Sequence, residues 1–267
     1  MSIRANAIAV VLGLAAVAVP AASQAASPDC PNGGTIRFGV EPYDTAPTLT
    51  PIYQAIGKLL ADKLGCDVEV FVTTNYNAEI EAMRNGKLEL GEFGPLGYVL
   101  AHEVAKAEAV ATLADKDGHP STYWASIVTY PGTGLKTLQD LKGHSFAYSD
   151  PASTSGHLFP AYALRNHKVD AGELNSQQID SADGDVIFIW KSEPIPVDPI
   201  AIRGDLPEEW KKKAAAALQS LDLSSLSKDQ LKLIGAQGAK LVPQTDSAYD
   251  NIRDLVSTLN IDLNKLD

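Results

Sequence analysis

The stretch "TIRFGVEPYDTAPTLTPIYQAIGKLLADKLGCDVEVFV" at residues 35–72 predicts the basic unit of the fold. Its first six residues are typical of a β-strand. Residues 50–65 have apolar side chains at helical spacing, with Thr50 as the predicted N-cap and Gly65 as the helix stop. "DVEVFVT" at 67–73 is a second predicted strand. The order strand, helix, strand predicts two parallel strands covered by the connecting helix.

The same alternation continues to residue 115. Helices are predicted at 77–86 and 95–107, and strands at 88–94 and 109–115. Pro95 falls in the first turn of its helix, a position where proline is favoured. Repeated strand–helix order predicts an α/β protein with a parallel sheet and helices on both faces.

The turn-rich segment "DGHPST" at 117–122 predicts a crossing into a second domain. Beyond it the pattern resumes, and three helices at the end of the chain are predicted to return and cover the first domain. The second set has predicted strands at 123–130, 144–149, 169–175, 185–190 and 199–204, and helices at 137–143 and about 154–167; the final helices are predicted at 207–221, 227–235 and 246–260.

The first 25 residues are typical of a secretory signal peptide. Arg4 is followed by the apolar run "AIAVVLGLAAVAV", and "SQA" at 23–25 offers small residues for cleavage near Ala25. The apolar run is too short for a membrane span, and no lipobox precedes Cys30. We expect an exported, periplasmic protein.

Composition and charge narrow the functional classes. The chain has 267 residues and a formal net charge of −11. Such an acidic chain is a poor partner for nucleic acid or for an anionic membrane surface. A small anionic ligand remains compatible, because local donors and dipoles govern a buried site.

Cys30 and Cys66 are the two cysteines of the chain, and each lies just before a predicted strand. If those strands are parallel neighbours, both cysteines lie at the same edge of the sheet. In an oxidising compartment a disulfide is the preferred interpretation. A metal site would need further ligands near the pair, and no such spacing occurs.

Three adjacent hydroxyl residues, Ser153, Thr154 and Ser155, precede Gly156 where a strand passes into a helix. One such residue suffices to cap a helix, so three exceed that need. Helix N-terminal N–H groups together with hydroxyls suit a tetrahedral oxyanion. A serine-rich cap on a solvent-facing turn is the alternative, and these residues alone do not separate the two.

Four segments together resemble a known family. They are "FGPLGYVLA" (93–101), "SDPASTSGHLFPAYALR" (149–165), "VDAGELNSQ" (169–177) and "WKSEPIPVDPIAIRGDLP" (190–207). The chain resembles the periplasmic binding proteins of phosphate, phosphite and phosphonate ABC importers. The resemblance implies a type II periplasmic-binding fold, in which two α/β lobes joined by a two-segment hinge close over one ligand. It implies lobe 1 at 26–117 and 204–267, and lobe 2 at 118–203.

The resemblance also implies ligand-binding residues. Tyr98 would donate its phenol to the oxyanion from lobe 1. The hydroxyls of Ser153, Thr154 and Ser155 would donate from lobe 2. Tyr43 would lie over the ligand, and Asp198 would be a carboxylate in the cleft. The alternatives are a half-buried helix tyrosine for Tyr98 and turn residues for Tyr43 and Asp198.

The expected carboxylate bears on ligand selectivity. An ionised Asp198 repels an anion unless the ligand brings a proton between them, which excludes sulfate. Family members that bind aminophosphonates have a second carboxylate where this chain has Gln177. A neutral amide there favours phosphite, phosphate or a small alkylphosphonate.

Family members usually have a further strand and helix, with a "GSH"-like turn, before the "VDAG" segment. Here "LRNHK" at 164–168 runs directly into "VDAGELN". The resemblance therefore implies a shortened lobe 2 that lacks one strand–helix unit.

Transport is the predicted function, with an ABC permease of the inner membrane as partner and no cofactor or metal. A sensor that partners a membrane histidine kinase is the alternative, because its fold and site would be the same. An enzyme is not expected. "STSG" does not fit a nucleophile elbow, and the five histidines (102, 119, 144, 157, 167) show no metal-binding spacing.

Overall fold

A computed structural model of the chain describes residues 30–129, 132–144, 146, 148–158, 172–175 and 187–262. Three predictions fall outside these residues. They are the signal peptide at 1–25, the position of Gln177, and the direct junction at 164–169 on which the shortened lobe 2 depends.

Eleven strands are found among the described residues. They are β1 (Thr35–Val40), β2 (Asp67–Val72), β3 (Leu90–Glu92), β4 (Glu108–Leu113), β5 (Thr122–Tyr123), β6 (Ala125–Thr129), β7 (Gly172–Asn175), β8 (Ile187–Lys191), β9 (Ile195–Pro196), β10 (Pro199–Ile202) and β11 (Leu241–Pro243).

The α-helices of the described residues are α1 (Ala46–Leu64), α2 (Tyr76–Arg84), α3 (Pro95–Ala105), α4 (Glu208–Gln219), α5 (Lys228–Leu233) and α6 (Asp250–Leu259). Short 3-10 turns occur at Asn32–Gly34, Gln139–Leu141 and Asp246–Tyr249, and a single π-helical turn at Thr154–Leu158. Within this part of the chain, no helix is both long and apolar enough to cross a membrane.

The larger sheet has six strands in the order β11-β4-β10-β3-β1-β2. β1 pairs in parallel with β2 and with β3, as the strand–helix alternation predicts. β10 is antiparallel to both β3 and β4, and β11 is antiparallel to β4, so the sheet is mixed rather than all-parallel. The antiparallel strands come from late in the chain, where local alternation does not reveal the sheet that a strand joins.

The core lies between this sheet and the helices on its faces. Ile36, Phe38 and Val40 of β1 are fully buried, as a strand covered on both faces requires. α4 packs against α1, β4 and β11, and α6 packs against α3. The C-terminal helices thus cover the larger sheet.

The smaller sheet has the antiparallel order β7-β6-β8. Two chain segments connect it to the larger sheet, and they pair through β5 and β9. The return segment re-enters the larger sheet at β10, residues 199–202, whereas the sequence places the second boundary after residue 203. β10 pairs with β3 and β4 because its apolar residues, all buried, fit the centre of that sheet.

Some predicted elements differ from the structure. The first helix begins at Ala46 with Thr45 as N-cap rather than at Thr50, because Pro47 suits a first helical turn. The helix predicted at 137–143 is one 3-10 turn. The described residues of 144–149 contain no strand, and the helix predicted from about 154 starts with the π-helical turn, its remainder lying outside the described residues.

The predicted disulfide is confirmed, because Cys30 and Cys66 are bonded. Cys30 lies just ahead of β1, and Cys66 lies just ahead of β2. β1 and β2 are parallel neighbours whose first residues are partners in register, which brings the two sulfurs together.

Removing this bond should destabilise the fold. The bond closes a loop between residues 36 apart, which corresponds to about 3–4 kcal/mol of unfolding free energy in the chain-entropy account. The double variant Cys30→Ser/Cys66→Ser should therefore melt roughly 6–16 °C below the wild type in a thermal unfolding scan. Dithiothreitol should lower the melting temperature of the wild type alone, and an equal effect on the variant would contradict the prediction.

Candidate functional site

A cavity lies at the carboxyl ends of β1, β2 and β3, facing the smaller sheet. Its volume is about 80 Å³. A buried water needs roughly 10–15 Å³ on this measure, so the cavity has room for a small polyatomic ion. Its lining residues are Pro42, Tyr43, Tyr76, Gly94, Tyr123, Ser149, Ser153, Thr154, Ser155, Glu173, Asn175 and Asp198.

The larger sheet contributes the loops that follow its parallel strands. Tyr43 comes shortly after β1, Tyr76 is the first residue of α2, and Gly94 precedes α3. The carboxyl ends of parallel strands are where open α/β sheets bind ligands. The Tyr43 and Tyr53 hydroxyls lie 2.8 Å apart, which fixes the Tyr43 side chain.

The predicted hydroxyl run lines this cavity. Ser153, Thr154 and Ser155 are all buried at the start of the π-helical turn, which argues against a solvent-facing cap. The Ser153 Oγ accepts the N–H of Gly156 at 3.1 Å, and the Thr154 Oγ1 accepts the N–H of Leu96 at 2.8 Å. Because a hydroxyl that accepts one hydrogen bond can still donate another, the Ser153 hydroxyl can donate its proton to a ligand.

Two hydrogen bonds join the opposite walls of the cavity. The N–H of Leu96, in the first turn of α3, donates to Thr154, and the N–H of Tyr76, at the start of α2, donates to Asp150 Oδ2 at 3.3 Å. Both donors are helix N-terminal groups that have no partner inside their own helix. The first turns of α2 and α3 thus hold the smaller lobe in place.

Three tyrosines in the cavity are neutral donors. Burial raises the pKa of Tyr43, Tyr76 and Tyr123 well above the usual value for a phenol. Their hydroxyls therefore keep their protons across the physiological range. The Tyr123 hydroxyl also interacts with the side chains of Ser155 and Thr154.

The structure does not place Tyr98 at the cavity. Its hydroxyl donates to Asp246 at 2.8 Å and accepts the N–H of Ala109 at 3.2 Å. Its ring packs against Tyr249. Tyr98 lies one turn beyond the N-terminus of α3, and this turn directs it towards the C-terminal helices. Tyr76 and Tyr123 lie in the cavity instead.

Carboxyl groups are concentrated behind the cavity. Glu41, Glu79 and Glu92 are buried, and Asp198 reaches the cavity wall beside them. The Glu41 Oε2 accepts the N–H of Gly94 at 2.6 Å. Within the described residues, none of the four forms an ion pair with lysine or arginine, and no group of acidic, histidine or cysteine residues there could hold a metal ion.

Glycines make the space for one of these carboxyls. Gly39 of β1 and Gly91 of β3 are partners in register, so the sheet has a hollow at that point. The carboxyl of Glu79, reaching down from α2, occupies it: a Cβ at either glycine would lie within 2.9 Å of Glu79 Oε1. The Glu79 side chain is fully buried there.

Burial without a cation keeps protons on this cluster. Desolvation raises the pKa of Glu41, Glu79 and Glu92 well above the usual carboxyl value, and it raises the pKa of Asp198 to about 7. The hydrogen bond between Glu92 and Asp198 raises the pKa of Glu92 and lowers that of Asp198. Glu92 is therefore the partner that holds the proton. Asp198 is thus the most readily ionised member.

The smaller sheet supplies two polar side chains that the sequence analysis missed. Glu173 and Asn175 of β7 both line the cavity. They are two residues apart, and side chains at that spacing lie on the same face of a strand. Tyr76 and Gly94 were also missed, although their positions directly after predicted parallel strands are a signal for a site.

A family model described as ABC transporter, phosphonate, periplasmic substrate-binding protein matches residues 38–186, just over half of the chain. The phosphonates-binding periplasmic protein of Escherichia coli is 27% identical over 67% of this chain and 63% of its own length, just under two thirds. The phosphate-import protein PhnD of Mycolicibacterium smegmatis is 24% identical over 82% of this chain and 84% of its own length.

Solved structures support the same fold. A binding protein component of an ABC phosphonate transporter from Pseudomonas aeruginosa superposes with a TM-score of 0.71 at 23% identity, covering 85% of this chain and 86% of that one. PhnD1 of Prochlorococcus marinus, in complex with methylphosphonate, gives a TM-score of 0.70 at 19% identity, covering 85% and 98%. The expected type II periplasmic-binding fold is therefore confirmed.

The carboxyl cluster makes stability depend on pH. Each raised pKa means that the folded state holds a proton that the unfolded chain has released, so the stabilisation is complete below about pH 4 and is lost as the pH rises; for Asp198 the loss is centred at about pH 7. The melting temperature of the ligand-free protein should therefore fall between pH 5 and pH 8.

Glu79→Gln tests the origin of that pH dependence, because it keeps the shape of the side chain and removes one proton site. The fall in melting temperature between pH 5 and pH 8 should be smaller in this variant. Glu81→Gln, an exposed position on the same helix, is the matched control and should retain the wild-type profile. Equal profiles for both variants would contradict the role of the cluster.

Proposed function

Because the chain belongs to the periplasmic substrate-binding proteins of phosphonate ABC transporters, we propose that it captures a phosphorus oxyanion in its cavity and delivers it to a membrane permease. The ligand is phosphite, phosphate or a small phosphonate. The observation that carries this proposal is the buried run of Ser153, Thr154 and Ser155, which lines a small cavity.

The donors suit a tetrahedral anion. Hydroxyls from the smaller lobe and neutral phenols from Tyr43, Tyr76 and Tyr123 converge on one volume. Within the described part of the chain, no lysine or arginine lines the cavity. Affinity therefore depends on directed hydrogen bonds, and hydrogen bonds to a charged group are worth about 1.5–3 kcal/mol each.

Asp198 supports selection by protonation. It lines the cavity, and its carboxyl repels an anion unless one of the two carries a proton. Phosphite, phosphate and phosphonates keep an ionisable proton near neutral pH, whereas sulfate does not. The set of proposed ligand-binding residues is Tyr43, Tyr76, Tyr123, Ser153, Thr154, Ser155 and Asp198, while Gln177 stays a prediction from the sequence.

The names of the relatives support a phosphorus oxyanion as the ligand, but they do not indicate which one. They include a phosphonates-binding protein, a phosphate-import protein and a probable phosphite binding protein, the last from Prochlorococcus marinus. The volume of about 80 Å³ fits an oxyanion with a short substituent. Export with cleavage near Ala25, and closure of the two lobes about the paired β5 and β9 segments, complete the proposal.

A ligand panel tests the proposed class. Isothermal titration calorimetry at pH 6.5 should give saturable binding with phosphite, phosphate or methylphosphonate. Sulfate, matched in shape but without a proton, should bind more weakly, and the difference should grow as the pH rises through about 7 and Asp198 ionises. Binding of sulfate with no binding of any phosphorus oxyanion would refute the proposal.

A second test compares a variant in the cavity with a variant outside it. Ser153→Ala should weaken the best ligand by about 1–3 kcal/mol, because a ligand oxygen loses its donor. Tyr98→Phe removes a hydroxyl outside the cavity, so the ligand affinity should stay the same while the unfolding free energy falls by about 1 kcal/mol. Weakened binding in Tyr98→Phe with none in Ser153→Ala would show that the site lies elsewhere.

A further inference from the structure

Glu173 is a second carboxyl at the cavity, on the wall opposite to the carboxyl cluster. It belongs to β7 of the smaller sheet, whereas Asp198 lies on the segment that returns to the larger sheet. The Ser155 side chain hydrogen-bonds the Glu173 carboxyl. The Oε1 atom of Glu173 is buried and has no hydrogen-bond partner among the described residues.

Among the described residues, the surroundings of Glu173 offer it no counter-charge. β6 lies beside β7 and pairs Ile127 with Glu173, and residues 125–129 include no ionisable side chain. In the described part of the chain, the titratable groups on the other neighbouring elements are Tyr123, whose pKa is raised by burial and further by Glu173, and His157, which interacts with Asp150. Asp198, on the far wall, is itself acidic.

An anion in this cavity meets a carboxyl on each side. Two ionised carboxylates and an oxyanion in one small volume would repel one another, and no lysine or arginine among the described lining residues offsets them. A protonated carboxyl differs, because its O–H donates a hydrogen bond. Oε1 of Glu173 is a buried oxygen free to carry that proton.

We propose that Glu173 determines ligand selectivity by binding the captured oxyanion as a neutral acid, donating its proton to a ligand oxygen from the smaller lobe. The inference rests on the proposed function. Binding of the anion therefore requires that Glu173 is protonated. Next to Glu173, a ligand oxygen that accepts a hydrogen bond is favoured over a ligand group that donates one.

The consequence is a measurable linkage. Burial raises the pKa of Glu173 to about 7. A donor that must be protonated is available below that value and is lost above it, so affinity should fall about tenfold between pH 6 and pH 8 from this residue alone. Asp198 and the ligand also titrate, so the residue has to be isolated by a variant.

Glu173→Gln isolates it, since an amide donates a hydrogen bond at every pH. The dissociation constants of wild type and variant for methylphosphonate are measured by calorimetry from pH 6 to pH 8. The ligand and Asp198 titrate in both proteins and cancel in the ratio. The affinity of the variant relative to the wild type should rise about tenfold across this range. Glu193→Gln, an exposed glutamate of the same lobe, should leave that ratio constant.

Three results would overturn the inference. The first is a constant ratio for Glu173→Gln while the wild type binds, which leaves the proposed function intact. The second is Glu173→Gln weakening the binding of aminoethylphosphonate, but not that of methylphosphonate, at pH 8, which would make Glu173 an ionised partner of the amine. The third is a wild type that binds no phosphorus oxyanion at pH 6, which refutes the proposed function as well.

Folding of the variant is checked by circular dichroism. If Glu173→Gln does not fold, Glu173→Ala serves in its place. It should bind more weakly at pH 6, and its affinity relative to the wild type should rise about tenfold by pH 8. An unchanged ratio in that variant would also overturn the inference.

Discussion

The site depends on how this protein buries carboxyl groups at one end of its central sheet. At the amino end of β3, the buried Glu89 is paired with Arg37, whose Nε lies 2.9 Å from Oε2, and with Arg203. At the carboxyl end, Glu92 has no cationic partner among the described residues and stays protonated. The carboxyl at the amino end of β3 is therefore paired with arginine, whereas the carboxyl at its other end carries a proton. An arginine at the carboxyl end would be a fixed positive charge at the cavity, and every anion, sulfate included, would gain from it.

Without such a charge, anion capture depends on neutral donors. The N-terminal turns of α2 and α3 do not supply all of them, because Tyr76 N and Leu96 N hydrogen-bond Asp150 and Thr154 of the opposite wall. Glu41 accepts from Gly94 in the same region. The positive ends of these helices thus hold the two lobes together, and hydroxyls and phenols line the cavity. Directed donors discriminate by the geometry and protons of the ligand, while a bare charge does not.

The sequence predicts most of the fold and about half of the site. Strand–helix alternation suffices for β1 to β4 and for the position of the cysteines, because these depend on neighbours in the chain. The hydroxyl run is recognisable because three consecutive residues share one chemistry. Tyr98 was wrongly placed because a motif gives the helix but not the turn on which a side chain meets the ligand. The carboxyl cluster comes from four separate segments, so only the folded sheet brings it together.

Glu173 shows why the sequence alone does not predict the other residues of the site. Alternation in "GELN" places Glu173 and Asn175 on one face, but it does not tell which face meets the cavity. That choice depends on the register with β6, in which Ile127 pairs with Glu173. A slip of one residue would turn Glu173 away and bring its neighbour to the cavity. β6 is held in turn by β8, with Ile127 paired to Trp190, and Ile127 is fully buried. The register that exposes an acid to the ligand is thus set by an apolar contact on the strand beside it.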